Sequence, residues 1–320
     1  MKVITIVIPT YNEEENIDLI YKRVSNVFQT ELDDYGYQIM FIDNRSKDRS
    51  RKKIKALAEK DEHVQYIFNV RNFGFSKSTF YGLTQAEGDA AVLLYADMQD
   101  PPEMIVRFVR EWEQGNRVVA GIKNASKENP FLYFVRQSFY RLMNRIAEIQ
   151  HIEQFTGFGL YDREVIKIFR ELKDPLPYLR GMVAELAPEC KKVYYEQEKR
   201  AYGKSSFHFK NLYDVAMLGI TSYSRSLMRI AVMTGFSIAA CSLFLAVVTF
   251  FLKIFRIIDY PIGIAASIFG IFFLGSVQLL FIGVLGEYIS NINIRSMGRP
   301  LVIEEERYNL ERKMDNNDME

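Results

Sequence analysis

Val3-Ile4-Thr5-Ile6-Val7-Ile8-Pro9-Thr10-Tyr11-Asn12-Glu13-Glu14-Glu15 opens as a short apolar run and breaks, at a proline, into a polar and acidic turn. The run reads as a strand, and the stretch from Glu13 to Phe28 that follows it has helical periodicity. The same alternation recurs along the chain. Gln38 to Ile42, Val64 to Phe68, Ala90 to Leu94 and Arg117 to Ala120 are further strand-like runs. Asp48 to Glu59 and Pro102 to Glu113 are further helical ones, the last with proline where a helix start tolerates it. Over residues 1 to about 120 this rhythm predicts a doubly wound α/β domain with a parallel sheet. Ligands of such a sheet sit beyond the carboxyl ends of its strands.

Those ends carry Pro9-Thr10-Tyr11-Asn12-Glu13, Asp43-Asn44-Arg45-Ser46, Arg71-Asn72-Phe73-Gly74 and Tyr95-Ala96-Asp97-Met98-Gln99-Asp100-Pro101-Pro102. No glycine-rich loop of Rossmann or P-loop spacing occurs, so a phosphate is not expected to rest mainly on backbone amides at a helix start. A divalent cation on carboxylate and amide oxygens is the remaining way to neutralise a diphosphate. Asp97 and Gln99, two apart in extended chain, are expected to share a face for that purpose. Each group also has a plainer reading: Asp43 and Asp97 as helix N-caps, Pro101-Pro102 as a helix start.

Composition narrows the partners. The 320 residues suit one sizeable core and an accessory region. With 41 basic against 40 acidic residues, net +1, the chain lacks the concentrated positive surface that nucleic-acid binding requires. Two cysteines, Cys190 and Cys241, make no disulfide framework, and His63, His151 and His208 have no zinc-ligand spacing. A metal would be held by oxygen.

Ile230 to Leu252 is 23 residues without a charge and Ile262 to Gly286 is 25. At 1.5 Å per residue these reach about 35 Å or more, enough for a hydrocarbon core of about 30 Å. The nine residues Lys253 to Pro261 join them, which predicts a transmembrane helical hairpin over 230–289. Arg225, Arg229, Arg295 and Arg299 flank its outer ends and favour a cytoplasmic bulk. Val3 to Ile8 is too short for a signal peptide and runs into Glu13 to Glu15. Phe131 to Arg145 interleaves Arg136, Arg141 and Arg145 with five aromatic residues and no acid, the pattern of a helix lying on anionic headgroups. That helix is expected over 131–149, preceded by a polar gate at Asn124 to Asn129, with a second juxtamembrane helix in 207–229 and a cytoplasmic tail over 290–320. Gly270, Gly275, Gly283 and Gly286 are compatible with close helix contact in a homo-oligomer.

Together these marks resemble the polyprenyl-phosphate glycosyltransferases of glycosyltransferase family 2, relatives of dolichol-phosphate mannosyltransferase, in the branch with a C-terminal hairpin. The resemblance rests on Ile6-Val7-Ile8-Pro9-Thr10-Tyr11-Asn12-Glu13-Glu14, Phe41-Ile42-Asp43-Asn44, Arg71-Asn72-Phe73-Gly74 and Asp97-Met98-Gln99-Asp100-Pro101-Pro102-Glu103. It extends through Gly157-Phe158-Gly159-Leu160-Tyr161-Asp162-Arg163 and Arg200-Ala201-Tyr202-Gly203-Lys204-Ser205, nearly the whole chain. It implies a GT-A catalytic domain, residues 1–206, at the cytoplasmic (inner) membrane. Such a domain moves a sugar from a nucleotide diphosphate carrier, UDP-glucose by the family's habit, to a membrane-held polyprenyl phosphate with inversion.

By position the resemblance assigns Pro9, Tyr11, Glu13, Asp43 and Asn44 to the nucleotide sugar. Asp97 and Gln99 go to Mg2+ or Mn2+ and the diphosphate, and Asp162 to the reacting centre. Lys123, Arg136, Arg200, Lys204 and Ser205 fall where the family holds donor and acceptor phosphates. Asn44 and Arg45 depart from the family's Asp-Asp-Gly, and Tyr95 stands where an Asp often provides a further metal ligand. A phosphate monoester, with a second pKa near about 6, needs little help from a base. Its difficulty is repulsion by the donor, about 4 kcal/mol per pair of unit charges at about 4 Å and an effective dielectric of about 20. Two other readings remain: transfer to a glycerolipid hydroxyl, for which Asp162 would be the base, and a catalytically decayed membrane scaffold.

Overall fold

The computed structural model describes residues 1–124, 152–198 and 264–310, with positions 233–238, 240, 241, 244 and 255. The expected interfacial helix, the juxtamembrane helix and most of Ile230 to Leu252 lie outside the described residues, as do Arg136, Arg200, Lys204 and Ser205.

In chain order the elements are β1 (Val3–Thr10), α1 (Ile17–Thr30), β2 (Gly36–Asp43), α2 (Ser50–Ala58), β3 (Val64–Asn69), α3 (Phe75–Gln85), β4 (Ala90–Leu93), α4 (Met104–Glu113) and β5 (Val118–Lys123). Then follow β6 (Phe155–Asp162), α5 (Arg163–Leu172), α6 (Leu179–Leu186), β7 (Lys191–Tyr195), α7 (Ile264–Ser296) and β8 (Glu304–Tyr308). The eight strands form one sheet in the order β7-β5-β6-β4-β1-β2-β3-β8. β1 is parallel to β2 and β4, β2 to β3, and β5 to β7. The sheet is mixed: β6 runs antiparallel between β4 and β5, and β8 antiparallel on β3.

Helices cover both faces because the strands are apolar on both. Ile4, Ile6 and Ile8 pack with Ile17, Ile20 and Val24 of α1 on one side, while Val7 meets Phe80 and Leu83 of α3 on the other. Each such side chain contributes about 1.5–3 kcal/mol on burial. Helix α3 escapes a sequence reading because Phe75-Ser-Lys-Ser-Thr-Phe-Tyr-Gly-Leu-Thr-Gln is rich in weak helix formers. Its packed face overrides their preference.

Strand β6 presses closely on β5. A Cβ on Gly159 would stand 2.3 Å from the Val119 carbonyl oxygen, so only glycine fits. Next to it Phe158 meets the ring of Phe108 edge-on at 4.9 Å and that of Tyr195 at 5.3 Å.

The segment expected as a tail instead returns to the sheet. Three consecutive glutamates in β8 read as solvated chain, yet each is matched by side chains of the domain. Glu304 accepts from Tyr81 Oη at 2.8 Å, and Glu306 from Lys55 Nζ at 2.6 Å and Tyr66 Oη at 2.7 Å. Glu305 takes Arg51 Nη1 at 2.7 Å and a second ion pair from Arg45. Tyr308 stacks on Tyr66 at 5.4 Å.

Within α7, Phe273–Ser296 is the one helix among the described residues long and apolar enough to cross a membrane, and none of its most apolar window is buried. Its 24 residues rise about 36 Å. Because β8 is antiparallel to β3, with Glu304 opposite Asn69, the chain leaving α7 enters the sheet at the carboxyl ends of the parallel strands. Arg295 near the end of α7 also meets Asp174, after α5, at 3.3 Å.

Gly159→Ala is expected to destabilise the protein by about 1–3 kcal/mol, read as a lower thermal midpoint; an unchanged melt would mean that β6 and β5 are not in this contact. The edge strand should respond to acid. Arg45 and Arg51 hold the Glu305 carboxyl below its usual range and Lys55 does the same for Glu306. Their contribution is therefore present above the ordinary glutamate pKa and lost as pH falls through the lowered values. Hydrogen-exchange protection of β8 should fall before that of β1 on acidification, and simultaneous loss would contradict this.

Candidate active site

The loops after β1 and β2 are laced together. Asn12, in the left-handed region at φ 56°, donates its backbone N–H to Ser46 Oγ at 2.8 Å and accepts from Lys47 N on Oδ1 at 2.8 Å. Glu13 N donates to Ser50 Oγ at 3.0 Å, Glu14 N to Asp48 Oδ2 at 3.1 Å, and Arg49 N to Glu14 Oε2 at 2.7 Å. Half-buried Tyr11 and Glu13 therefore stand on a cross-linked double loop, with half-buried Pro9 just before it in β1.

Asp43 ends β2 fully buried. Its oxygens accept from Ser46 N at 3.0 Å, from Ser46 Oγ and from Arg51 Nε, while Arg51 Nη2 donates to the Asn69 carbonyl at 2.6 Å. Asn44 joins three strand ends. Its N–H donates to Thr10 O at 2.9 Å, its Oδ1 accepts from Phe73 N at 2.9 Å, and its Nδ2 donates to Asn72 Oδ1 at 2.9 Å. An ionised Asp could not make the last of these, which gives the departure at this position a physical reason. Arg45 has φ 67°, the conformation that glycine adopts freely, and the pairing with Glu305 holds it there.

At the end of β4 the geometry corrects the sequence argument. The strand stops at Leu93, and Ala96 to Met98 form a turn with Met98 at φ 59°. Alternation of extended chain therefore does not orient Asp97 and Gln99; the turn does, with Gln99 N donating to Asp97 Oδ1 at 3.2 Å. Asp100 is buried and accepts a hydrogen bond from Tyr195 Oη. Burial pushes its carboxyl up to about 6, against the pull of Lys123 and with a further push from Asp97. Lys123 ends β5 opposite Tyr195 and joins this group. Glu198 N donates to Gln99 O at 2.9 Å. Nothing in the sequence pairs Asp100 with Tyr195 or Asp43 with Arg51, since both pairs come from separate segments.

Tyr95 supplies no ligand oxygen. Its hydroxyl donates to the Thr156 carbonyl at 2.8 Å, and a Cβ on Gly157, at φ 108°, would lie 2.8 Å from that hydroxyl. Among the described residues no group of three His, Cys, Asp or Glu side chains is arranged to hold a metal ion. One carboxylate, Asp97, with the Gln99 amide is a hard-oxygen donor set that would suit Mg2+ or Mn2+, with water and substrate phosphates left to complete the shell.

Asp162 is a second correction. Strand β6 runs antiparallel to β4 with Asp162 opposite Ala90, so it lies at the end of the sheet away from Asp97. There its Oδ1 accepts from Glu164 N at 2.9 Å as the N-cap of α5, and its Oδ2 accepts from Trp112 Nε1 at 2.7 Å. It has a structural duty there, at the opposite end of β4 from Asp97.

A family model described as Glycosyl transferase family 2 matches residues 5–169. The chain is 32% identical over 313 residues to the uncharacterized glycosyltransferase YkcC of Bacillus subtilis (strain 168), covering 97% of this chain and 95% of that protein. It is 35% identical over 307 residues to the bactoprenol glucosyl transferase of Shigella phage SfV, covering 94% and 97%. Among solved structures, mannosyl-3-phosphoglycerate synthase from Rubrobacter xylanophilus shares the fold, with a TM-score of 0.50 and 14% identity over 73% of this chain and 75% of that one. On its family match, and with polar strand ends on a mixed α/β sheet, the chain belongs to glycosyltransferase family 2.

Proposed function

We propose that this enzyme transfers a hexose from a nucleotide diphosphate sugar, with UDP-glucose the first donor to test, to polyprenyl phosphate at a membrane surface. The observation that carries this reading is the route of the chain. It leaves the exposed apolar helix α7 at Ser296 and enters the sheet at Glu304, at the same end of the sheet as Asp97, Gln99 and Lys123 though several strands away. Eight residue steps extend at most about 29 Å, so the end of the span is tethered near the strand tips. The name of the Shigella phage relative supports a lipid-linked acceptor.

The acceptor phosphate is already anionic at neutral pH, so the reaction asks for charge neutralisation more than for a base. Asp97 and Gln99 would hold the divalent cation, which when bound offsets the diphosphate charge of the donor and of the leaving group. Lys123 supplies a fixed positive charge beside them, and Arg136, Arg200, Lys204 and Ser205 are assigned to the donor and acceptor phosphates. Pro9, Tyr11 and Glu13 hold the nucleoside on the laced loops, with Asp43 and Asn44 keeping those loops in register. In-line attack by the phosphate oxygen on the anomeric carbon forms the new C–O bond as the bond to the diphosphate breaks, with inversion. A hydroxyl acceptor would call for a base. Asp162, the carboxylate read for that duty, is occupied at the far end of the sheet. A decayed scaffold fits poorly with Asn44 and Arg45, whose departures both serve the loop.

The domain reading becomes a catalytic sheet of 1–206 completed by 304–308, with 207–229 and 230–289 between them at and in the membrane. The return of the chain to one sheet supports both ends lying on one side, and the flanking arginines favour the cytoplasmic one.

Purified protein incubated with undecaprenyl phosphate, Mn2+ and a panel of nucleotide sugars should give a glycosylated lipid phosphate by mass spectrometry. Product on a lipid alcohol alone would reject the acceptor. Asp97→Asn should lower kcat by about 100-fold or more with an unchanged melting profile, and full turnover would remove Asp97 from cation binding. Asp162→Ala should cost about 0.5–2 kcal/mol of stability through the lost cap while keeping kcat within about threefold. A kcat loss as large as that of Asp97→Asn would return Asp162 to the chemistry.

A further inference from the structure

The strand that follows the membrane helix reaches the donor loop through one carboxylate. Glu305 binds Arg51 Nη1 at 2.7 Å and pairs with Arg45, and the same Arg51 grips buried Asp43 through Nε and the Asn69 carbonyl through Nη2 at 2.6 Å. Asp43 in turn fixes Ser46, which accepts from Asn12, next to Tyr11 and Glu13. Glu305 thus restrains both chain ends of the 44–50 loop: Arg45, held in the left-handed conformation, and Arg51, just inside α2. Its neighbour Glu306 has different partners, Lys55 and Tyr66, and no link to Asp43.

We propose that Glu305 is a positioning residue for the donor nucleotide, acting through Arg45 and Arg51 to keep the Asp43–Ser46 loop in its binding shape. The inference rests on the nucleotide-sugar reading above. The side chains of Glu305 and Arg45 are 42% and 48% exposed, and ion pairs so open to water contribute little to global stability. Arg51 and Asp43 are far more enclosed, at 18% and 0%, so what the outer carboxylate orients is a buried charge pair. Preorganising a loop raises affinity by removing an ordering cost from binding. The edge strand is then a part of the donor site, supplied by the chain only after it has left the membrane helix.

The test compares Glu305→Gln with Glu306→Gln in the full-length protein. Uridine, guanosine and thymidine diphosphates are titrated calorimetrically with Mn2+, followed by donor and acceptor kinetics. Glu305→Gln should weaken nucleotide binding by about tenfold and raise the donor KM similarly, with kcat and the acceptor KM within about twofold. Glu306→Gln should leave nucleotide affinity within about twofold although it removes an ion pair from the same strand. Glu305→Asp, which keeps the charge, should recover most of the affinity and keeps the comparison readable if the glutamine variant folds poorly. Equal weakening by the two glutamine variants, or no weakening by Glu305→Gln, would overturn the proposal while leaving the glycosyltransferase reading intact. A wild-type protein that binds none of the three nucleotides would overturn the nucleotide-sugar reading, and this inference with it.

Discussion

A carboxylate with no exposure to water must be paired, and Asp43 is such a group at the end of a central strand. Its pairing with Arg51 is the interaction on which the loops after β1 and β2 are organised. Arg51 comes from the first turn of α2, so the pair sets where that helix begins relative to β2. The intervening loop has to close over the pair, and it does so by placing Ser46 on the carboxylate and Arg45 in a left-handed turn. The β1 loop then has a fixed partner to lace against. Removing one charge would leave the other buried or half-buried without compensation, a larger disturbance than the loss of any surface contact in the region.

The departures from the family pattern make sense as a set once that pair is in place. Asn44 gains a donor that a carboxylate lacks and spends it on Asn72. Arg45 forgoes the freedom of glycine but gains Glu305, which also steadies Arg51. Tyr95 gives up a ligand position and packs its hydroxyl into the space left by the bare Cα of Gly157. The first two changes tighten the loop after β2. If Asp97 holds the cation as proposed, the third would leave it the one carboxylate there, with more of the coordination falling to substrate phosphates.

How much of this was legible in the sequence follows from what periodicity encodes. Strands β1 to β5, α1, α2 and α4 were readable because each is a local apolar pattern of the right length. Strand direction is not local. The run from Phe155 to Asp162 carries no mark that it enters antiparallel, so the resemblance that gave Asp162 to the reacting centre could not show that it lies at the end of the sheet away from Asp97. Helix α3 was hidden by Ser, Thr and Gly, and β8 by three glutamates whose partners lie more than two hundred residues away. The chemical identity of the Asp97, Gln99 and Lys123 group was visible. Its orientation was not, because a turn at Met98 replaced the extended chain that alternation assumes.

On the proposed function, the placement of β8 also constrains how an anionic lipid and an anionic nucleotide would meet. A strand that leaves a membrane helix and joins the sheet at its amino-terminal end would hold the span away from the tips; antiparallel entry at Asn69 brings it toward them. The Arg295–Asp174 contact adds a second tether beyond α5, which runs back from the far end of the sheet toward the same edge. On that function, a lipid phosphate that stays at headgroup depth would approach the strand tips without extraction of its hydrophobic chain. Extraction would expose many methylenes at about 0.8 kcal/mol each, a cost that no arrangement of surface cations offsets. Docking the strand tips against the bilayer would, on the proposed function, avoid that cost and leave the soluble donor as the partner that travels.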